Sequence, residues 1–153
     1  MMNRCCKVLK RLQGKTLVTA ESCTGGGIGA ALTAVPGSSE VYKGGIISYT
    51  NWVKTNILQV PWGLLDCFGA VSAPVAKAMA EGARRVLQAD AAVSVTGLAG
   101  PGGDEFGNPV GLVFIGYSDA SKTVSRECHF EGDRDAVRAQ AVKAALDFVL
   151  ENV

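Results

Sequence analysis

Three short stretches of this chain carry the side chains and backbone that acyl or phosphoryl chemistry uses. The first is Glu21-Ser22-Cys23-Thr24-Gly25-Gly26-Gly27. Ser22 falls between a β-branched and apolar run, Thr16 to Ala20, and the glycine-rich entry to a helix through Ala30, Ala31 and Leu32. A serine so placed lies beside backbone N–H groups, from Thr24 through Gly25, Gly26 and Gly27, that a helix start leaves without acceptors. They sit at the positive end of the helix dipole and suit an oxyanion or a phosphate. Both uses are open, as is a plainer one in which Ser22 only caps the helix, since serine is a favoured cap.

A serine nucleophile needs a base. His129 is the single histidine; it has no evident carboxylate orienter and reads as a strand residue. A lysine can take its place if desolvation leaves the amine neutral. Lys54 is the best placed, in the first turn of a helix that follows the polar stretch Ser48-Tyr49-Thr50-Asn51, with Tyr49 able to relay or orient through its hydroxyl. On spacing alone, an exposed helix lysine is the commoner state. Thr96 and the loop through Gly97, Gly100, Pro101 and Gly102 can wrap a ligand by backbone. Arg134 and Arg138 share one face of the last helix and suit a phosphate, although a solvated pair, or ion pairs with Asp135 or Glu131, is the plainer reading. Cys23 offers a thiol-based rival, its pKa lowered by the helix start.

The elements that must position these groups follow from periodicity. Cys5, Val8, Leu9 and Leu12 predict a helix over 3–13 that Gly14 ends. Strands are predicted at 16–20, 41–49 and 91–96, and two more at 110–117 and 123–130 form a hairpin about Asp119-Ala120-Ser121. Helices are predicted after Ser22, from Thr50 or Asn51 to about Val60, from an N-cap at Ser72 with Pro74 in the first turn, and from about Asp133 to Leu150. Alternating strands and helices with one hairpin give an α/β fold: a three-layer α/β/α sandwich with a mixed sheet of about five strands. The glycine clusters gather at strand ends, where open α/β sheets place ligands.

Composition narrows the function classes. At 153 residues and 48% apolar content, the chain suits a single domain, 1–153, and is too apolar for disorder. Residues 1–76 carry seven basic and three acidic groups (7 − 3 = +4), and residues 77–153 carry eight and eleven (8 − 11 = −3), which together give the net charge of +1. Five of the basic groups fall in the first fifteen residues, read as a solvated helix face, and no nucleic-acid partner is expected. No window is apolar enough for a membrane span and the N-terminal stretch lacks a signal peptide's apolar core, so a cytoplasmic protein is expected. Five cysteines without a C-x-x-C pair fit neither a zinc site nor a disulfide framework; each is expected as a small buried hydrophobe, with no metal and no cofactor.

Six ordered blocks then carry a resemblance. They are Thr19-Ala20-Glu21-Ser22-Cys23-Thr24-Gly25-Gly26; Gly44-Gly45-Ile46-Ile47-Ser48-Tyr49-Thr50-Asn51 with Lys54; Gly69-Ala70-Val71-Ser72; Val95-Thr96-Gly97-Leu98-Ala99-Gly100-Pro101-Gly102-Gly103; Pro109-Val110-Gly111; and Gly132-Asp133-Arg134 with Val137-Arg138. Together they resemble the CinA C-terminal domain family over nearly the whole chain. The resemblance implies nicotinamide-nucleotide amidase activity, the hydrolysis of nicotinamide mononucleotide to nicotinate mononucleotide and ammonia in pyridine-nucleotide salvage. It maps a serine, a lysine and a tyrosine onto Ser22, Lys54 and Tyr49. It also implies an α/β/α fold, a homo-oligomer, and a stand-alone form without the N-terminal domain of longer members. The chain departs from the family pattern at Asp104-Glu105-Phe106-Gly107-Asn108, where a glycine and a Thr-Pro stretch are common, and at Gln59. The expected mechanism is acyl transfer, with N–H groups near Gly25 and Gly26 holding the oxyanion and Thr96 to Gly103, Arg134 or Arg138 holding ribose and phosphate. The alternative is a non-catalytic nucleotide-binding or partner-binding domain whose helix N-terminus holds the phosphate.

Overall fold

A computed structural model describes residues 1–153. The chain runs α1 (Met2–Arg11), β1 (Leu17–Glu21), α2 (Gly27–Thr33), a 3-10 turn (Ser38–Glu40), β2 (Tyr42–Ile47), α3 (Asn51–Asn56), α4 (Trp62–Phe68), α5 (Ala73–Val86), β3 (Ala91–Gly97), β4 (Leu112–Asp119), β5 (Thr123–His129) and α6 (Arg134–Asn152). The strands form one sheet in the order β2-β1-β3-β4-β5. β1 pairs in parallel with both β2 and β3, whereas β3–β4 and β4–β5 are antiparallel. This is the mixed five-stranded α/β sheet expected.

The central strands are buried on both faces, so their alternation divides residues between two helical layers instead of between core and solvent. Leu17, Val93 and Val95 pack with Cys5, Val8, Ile28, Leu32 and the apolar stripe of α6. Val18, Ala20 and Ala92 pack on the opposite face with Val75, Met79, Ala80 and Ala83 of α5 and with Leu58 and Leu65. Gly82 and Gly116 let α5 close on its neighbours. A Cβ at Gly82 would sit 1.9 Å from the Leu58 carbonyl oxygen, and one at Gly116 would sit 2.3 Å from that of Ala76.

Several boundaries differ from expectation for local reasons. The helix after β2 ends at Asn56, because Gln59 takes a positive φ of 63° and Pro61 follows; a further short helix, Trp62–Phe68, then forms where none was expected. β4 begins at Leu112 because Pro109 has no N–H to give and Gly111 turns at φ 94°. Ser72 occupies the N-cap position of α5, but its hydroxyl donates to the Gly69 carbonyl and accepts no helix N–H. Thr50 and Asp133 do cap their helices through side-chain oxygens, accepting from the Val53 and Ala136 N–H groups. Of the cysteines, all of them free, Cys5 and Cys23 are buried as expected, while Cys6 and Cys67 are exposed and Cys128 is half-buried.

This topology fixes where a ligand can bind. The chain leaves β1 toward β2 on one side and returns to β3 on the other, which opens a crevice at the carboxyl ends of β1 and β3. Ser22 and Leu98 begin the segments that leave those two ends.

Candidate active site

Ser22 follows directly on β1, and its N–H still donates to the Val95 carbonyl at 2.9 Å, so the sheet ladder holds the residue up to its own backbone. Its hydroxyl oxygen lies 3.0 Å from Lys54 Nζ. Lys54 reaches it from α3, and the same nitrogen donates to the Ser48 carbonyl at 2.8 Å. The lysine is only 2% exposed. Burial therefore lowers its pKa from 10.5 to about 8, only partly countered by the nearby Cys23 thiol. An amine so placed is substantially neutral at mildly alkaline pH and can accept the serine proton. Ser22 thus does not act as a helix cap, and Lys54 is not a solvated helix lysine.

The turn after Ser22 is braced from both sides. Glu21, 2% exposed, accepts the Thr24 hydroxyl at 2.7 Å and the Ile28 N–H at 2.8 Å on one oxygen, and the Gly29 N–H at 3.0 Å on the other. The carboxylate thus fills the N-terminal donor positions of α2, the cap that its N-cap residue Gly26, at φ 102°, has no side chain to supply. Arg138 Nε donates to the Cys23 carbonyl at 3.0 Å, and its Nη2 to that of Thr24 at 3.4 Å.

These braces change what the turn can offer a ligand. The Gly25 and Gly27 N–H groups donate to the Ser22 and Thr24 carbonyls at 3.1 and 2.9 Å, so neither is an orphan donor. Thr24, Gly25 and Gly26 do not line the cavity that holds Ser22. Cys23 does line it, and its backbone N–H makes no hydrogen bond to another backbone group.

The cavity is about 500 Å³ and is walled by Ser22, Cys23 and Lys54, by residues 96–102 at the end of β3 and in the loop beyond it, and by Tyr49, residues 104–106 and Arg134. Gly97, Gly100 and Gly102 therefore sit where a ligand would meet backbone. Thr96 is buried and donates its hydroxyl to the Ala70 carbonyl at 2.7 Å, tying the end of β3 to the segment before α5. Arg134 Nη1 donates to the Gly100 carbonyl at 2.8 Å and Nη2 to the Tyr49 hydroxyl at 3.1 Å. Tyr49, 58% exposed, belongs to the mouth of the cavity with Arg134 and makes no hydrogen bond to Ser22 or Lys54.

The family model of the CinA C-terminal domain matches residues 1–153. The chain belongs to the CinA C-terminal domain family. It is 50% identical over 141 residues to a CinA-like protein of Synechococcus sp. (strain RCC307), covering 91% of this chain and 34% of that protein. The nicotinamide-nucleotide amidohydrolase PncC of Pseudomonas putida is 48% identical over 135 residues, covering 88% of this chain and 84% of its own. The crystal structure of a competence-damaged protein (CinA) superfamily protein from Escherichia coli matches with a TM-score of 0.97 at 36% identity, covering 99% of this chain and 90% of that one. The chain thus spans about a third of the length of the CinA-like proteins it matches and most of the length of PncC.

In this CinA domain neither of the other two candidate reactive side chains suits the chemistry. His129 is exposed on the edge strand β5, 3.0 Å from Glu127, and does not line the cavity. The Cys23 thiol is pushed up to about 11, chiefly by burial, the opposite of the reactive thiolate that a helix start was expected to favour. No group of three or more His, Cys, Asp or Glu side chains is placed to hold a metal ion. No helix is long and apolar enough to cross a membrane. Glu21 and the Arg138 clamp are the positioning groups that sequence reasoning missed. Glu21 lay within the quoted motif, but only its burial under α2 gives it a purpose.

Proposed function

We propose that this domain is an amidohydrolase that converts nicotinamide mononucleotide and water to nicotinate mononucleotide and ammonia through a Ser22 acyl-enzyme. The observation that carries this reading is the buried Lys54 amine 3.0 Å from the Ser22 hydroxyl, with its pKa lowered to about 8. The substrate class rests on membership of the CinA family and on the likeness to PncC of Pseudomonas putida.

In the first step, neutral Lys54 takes the Ser22 proton as Oγ forms a bond to the carboxamide carbon. The Cys23 N–H, next to the nucleophile and free of a backbone partner, is the donor best placed for the developing oxyanion. Collapse breaks the C–N bond; the lysine ammonium gives its proton to the departing nitrogen and ammonia leaves. Water then attacks the ester, Lys54 accepts its proton and returns one to Ser22 Oγ, and nicotinate mononucleotide is released. The Ser48 carbonyl holds Nζ in line throughout. Arg134, already fixed by Gly100 and Tyr49, presents its remaining donors to the phosphate. Arg138 acts on the turn and not on substrate.

The non-catalytic alternative, with a phosphate on the α2 N-terminus, is disfavoured by a specific contact. Glu21 already occupies the Ile28 and Gly29 N–H groups, and a second anion there would meet its charge. Ammonia release by the purified chain with nicotinamide mononucleotide, free nicotinamide and the dinucleotide tests the reading. The mononucleotide is expected to be the preferred substrate; activity on none of the three would remove the amidohydrolase assignment.

A further inference from the structure

The wall of the cavity at residues 104–106 lies where this chain departs from the usual family pattern, and it is built to present two side chains. Asp104 gathers the loop: one carboxylate oxygen accepts the Phe106 and Asn108 N–H groups at 3.1 and 3.0 Å, and the other accepts Asn108 Nδ2 at 2.9 Å. Asp104 is thereby committed to its own turn. Glu105 lines the cavity without a hydrogen bond or ion pair of its own. Phe106 lines it too, and is 45% exposed. Its ring edge rests on Gly69, where a Cβ would come to 2.7 Å of Cδ2, so the absence of a side chain at 69 seats the ring. The cavity lining therefore carries both signs of charge: Arg134, bonded to Gly100 and Tyr49, and the free carboxylate of Glu105, next in sequence to the seated ring of Phe106.

We propose that Glu105 and Phe106 form a subsite for a positively charged aromatic ring, so that the cavity selects the N-ribosylated pyridinium over an uncharged ring of the same shape. This inference rests on the amidohydrolase reading, whose substrate carries a quaternary ring nitrogen and an anionic phosphate. A cation over an aromatic face is attracted by the ring quadrupole, and a carboxylate beside it adds a Coulomb term that neutral nicotinamide cannot use. Arg134 takes the opposite charge. A substrate positive at its ring and negative at its phosphate then finds a partner of opposite sign for each within one cavity.

The test compares nicotinamide mononucleotide with the 5′-phosphate of benzamide riboside, in which a ring carbon replaces the charged nitrogen. Affinities are measured by calorimetry in the Ser22→Ala protein, which cannot turn over, and KM and kcat for the mononucleotide in the otherwise native protein. Phe106→Leu is expected to weaken mononucleotide binding roughly three- to thirtyfold, and Glu105→Gln roughly two- to fivefold. The neutral isostere should change less than about twofold in either variant, with kcat preserved and Phe106→Tyr restoring affinity. Equal weakening of both ligands, or of neither, overturns the inference. If the native protein releases no ammonia, the amidohydrolase reading fails, while the calorimetric comparison still decides whether charge is recognised.

Discussion

The carboxylate of Glu21 accepts the backbone N–H of Ile28 at 2.8 Å, from the residue immediately before the candidate nucleophile to the first buried turn of the next helix. With the Gly29 N–H and the Thr24 hydroxyl on the same group, Ser22 is held between a sheet ladder and a capped helix. Glu21→Gln removes one acceptor oxygen and the charge that complements the helix dipole. It is expected to lower stability by about 1–3 kcal/mol, read by urea denaturation. A variant as stable as the native protein would show that the carboxylate does not brace the turn.

Activity should depend on pH through Lys54. Because the productive form is the neutral amine, kcat/KM is expected to rise with pH to a plateau, with an apparent pKa of about 8. Below that value it should fall about tenfold per pH unit. Rates of ammonia release from pH 6 to 10 check this; a flat profile would leave the lysine without a role as base.

The same group leaves a mark on stability. Its folded pKa is depressed to about 8 from 10.5, so between these values the unfolded chain binds a proton that the folded chain does not. Stability contributed by this group therefore rises with pH across that window, by up to about 1.4 kcal/mol per unit, and its burial penalty is fully felt below pH 8. Lys54→Met removes the titration. Relative to that variant, the native protein is expected to gain stability from pH 8 to 10.5 in chemical denaturation, and parallel curves would contradict the lowered pKa.

Cys23 adjoins Ser22 and lines the same cavity, but burial keeps its thiol protonated, with a pKa pushed up to about 11. Cys23→Ala should keep turnover within a few-fold of native and lower stability by about 1 kcal/mol, the lost packing of one small side chain. An inactive but folded Cys23→Ala protein would move the nucleophile from the hydroxyl to the thiol.

Much of this arrangement was legible in the sequence because its signals are local. The serine at the end of an apolar strand, the glycines after it and the lysine in the short helix after the next strand follow from residue order, as does the mixed sheet from one hairpin after alternating elements. What escaped depends on contacts across the fold. Arg138 was read as a phosphate ligand because it shares a helix face with Arg134; only the packing of α6 against α2 turns it onto the Cys23 and Thr24 carbonyls. Gly25 and Gly26 were expected at the oxyanion because a helix start leaves donors free, yet the turn engages the Gly25 N–H and neither glycine lines the cavity. Tyr49 was placed beside the catalytic pair by sequence proximity, while its hydroxyl meets an arginine 85 positions away. The helix Trp62–Phe68 was missed because its short apolar run has no clear period.

The central claim is that Ser22 carries the acyl group while Lys54 moves the protons. Rapid chemical quenching during turnover of nicotinamide mononucleotide, followed by mass analysis of the peptide containing Ser22, measures it directly. The account predicts that a fraction of this peptide bears the nicotinoyl mononucleotide as an ester, and that Ser22→Ala abolishes both the adduct and at least about 99.9% of ammonia release. Sustained ammonia release by Ser22→Ala at a rate near native, with no adduct on the native peptide, would contradict it.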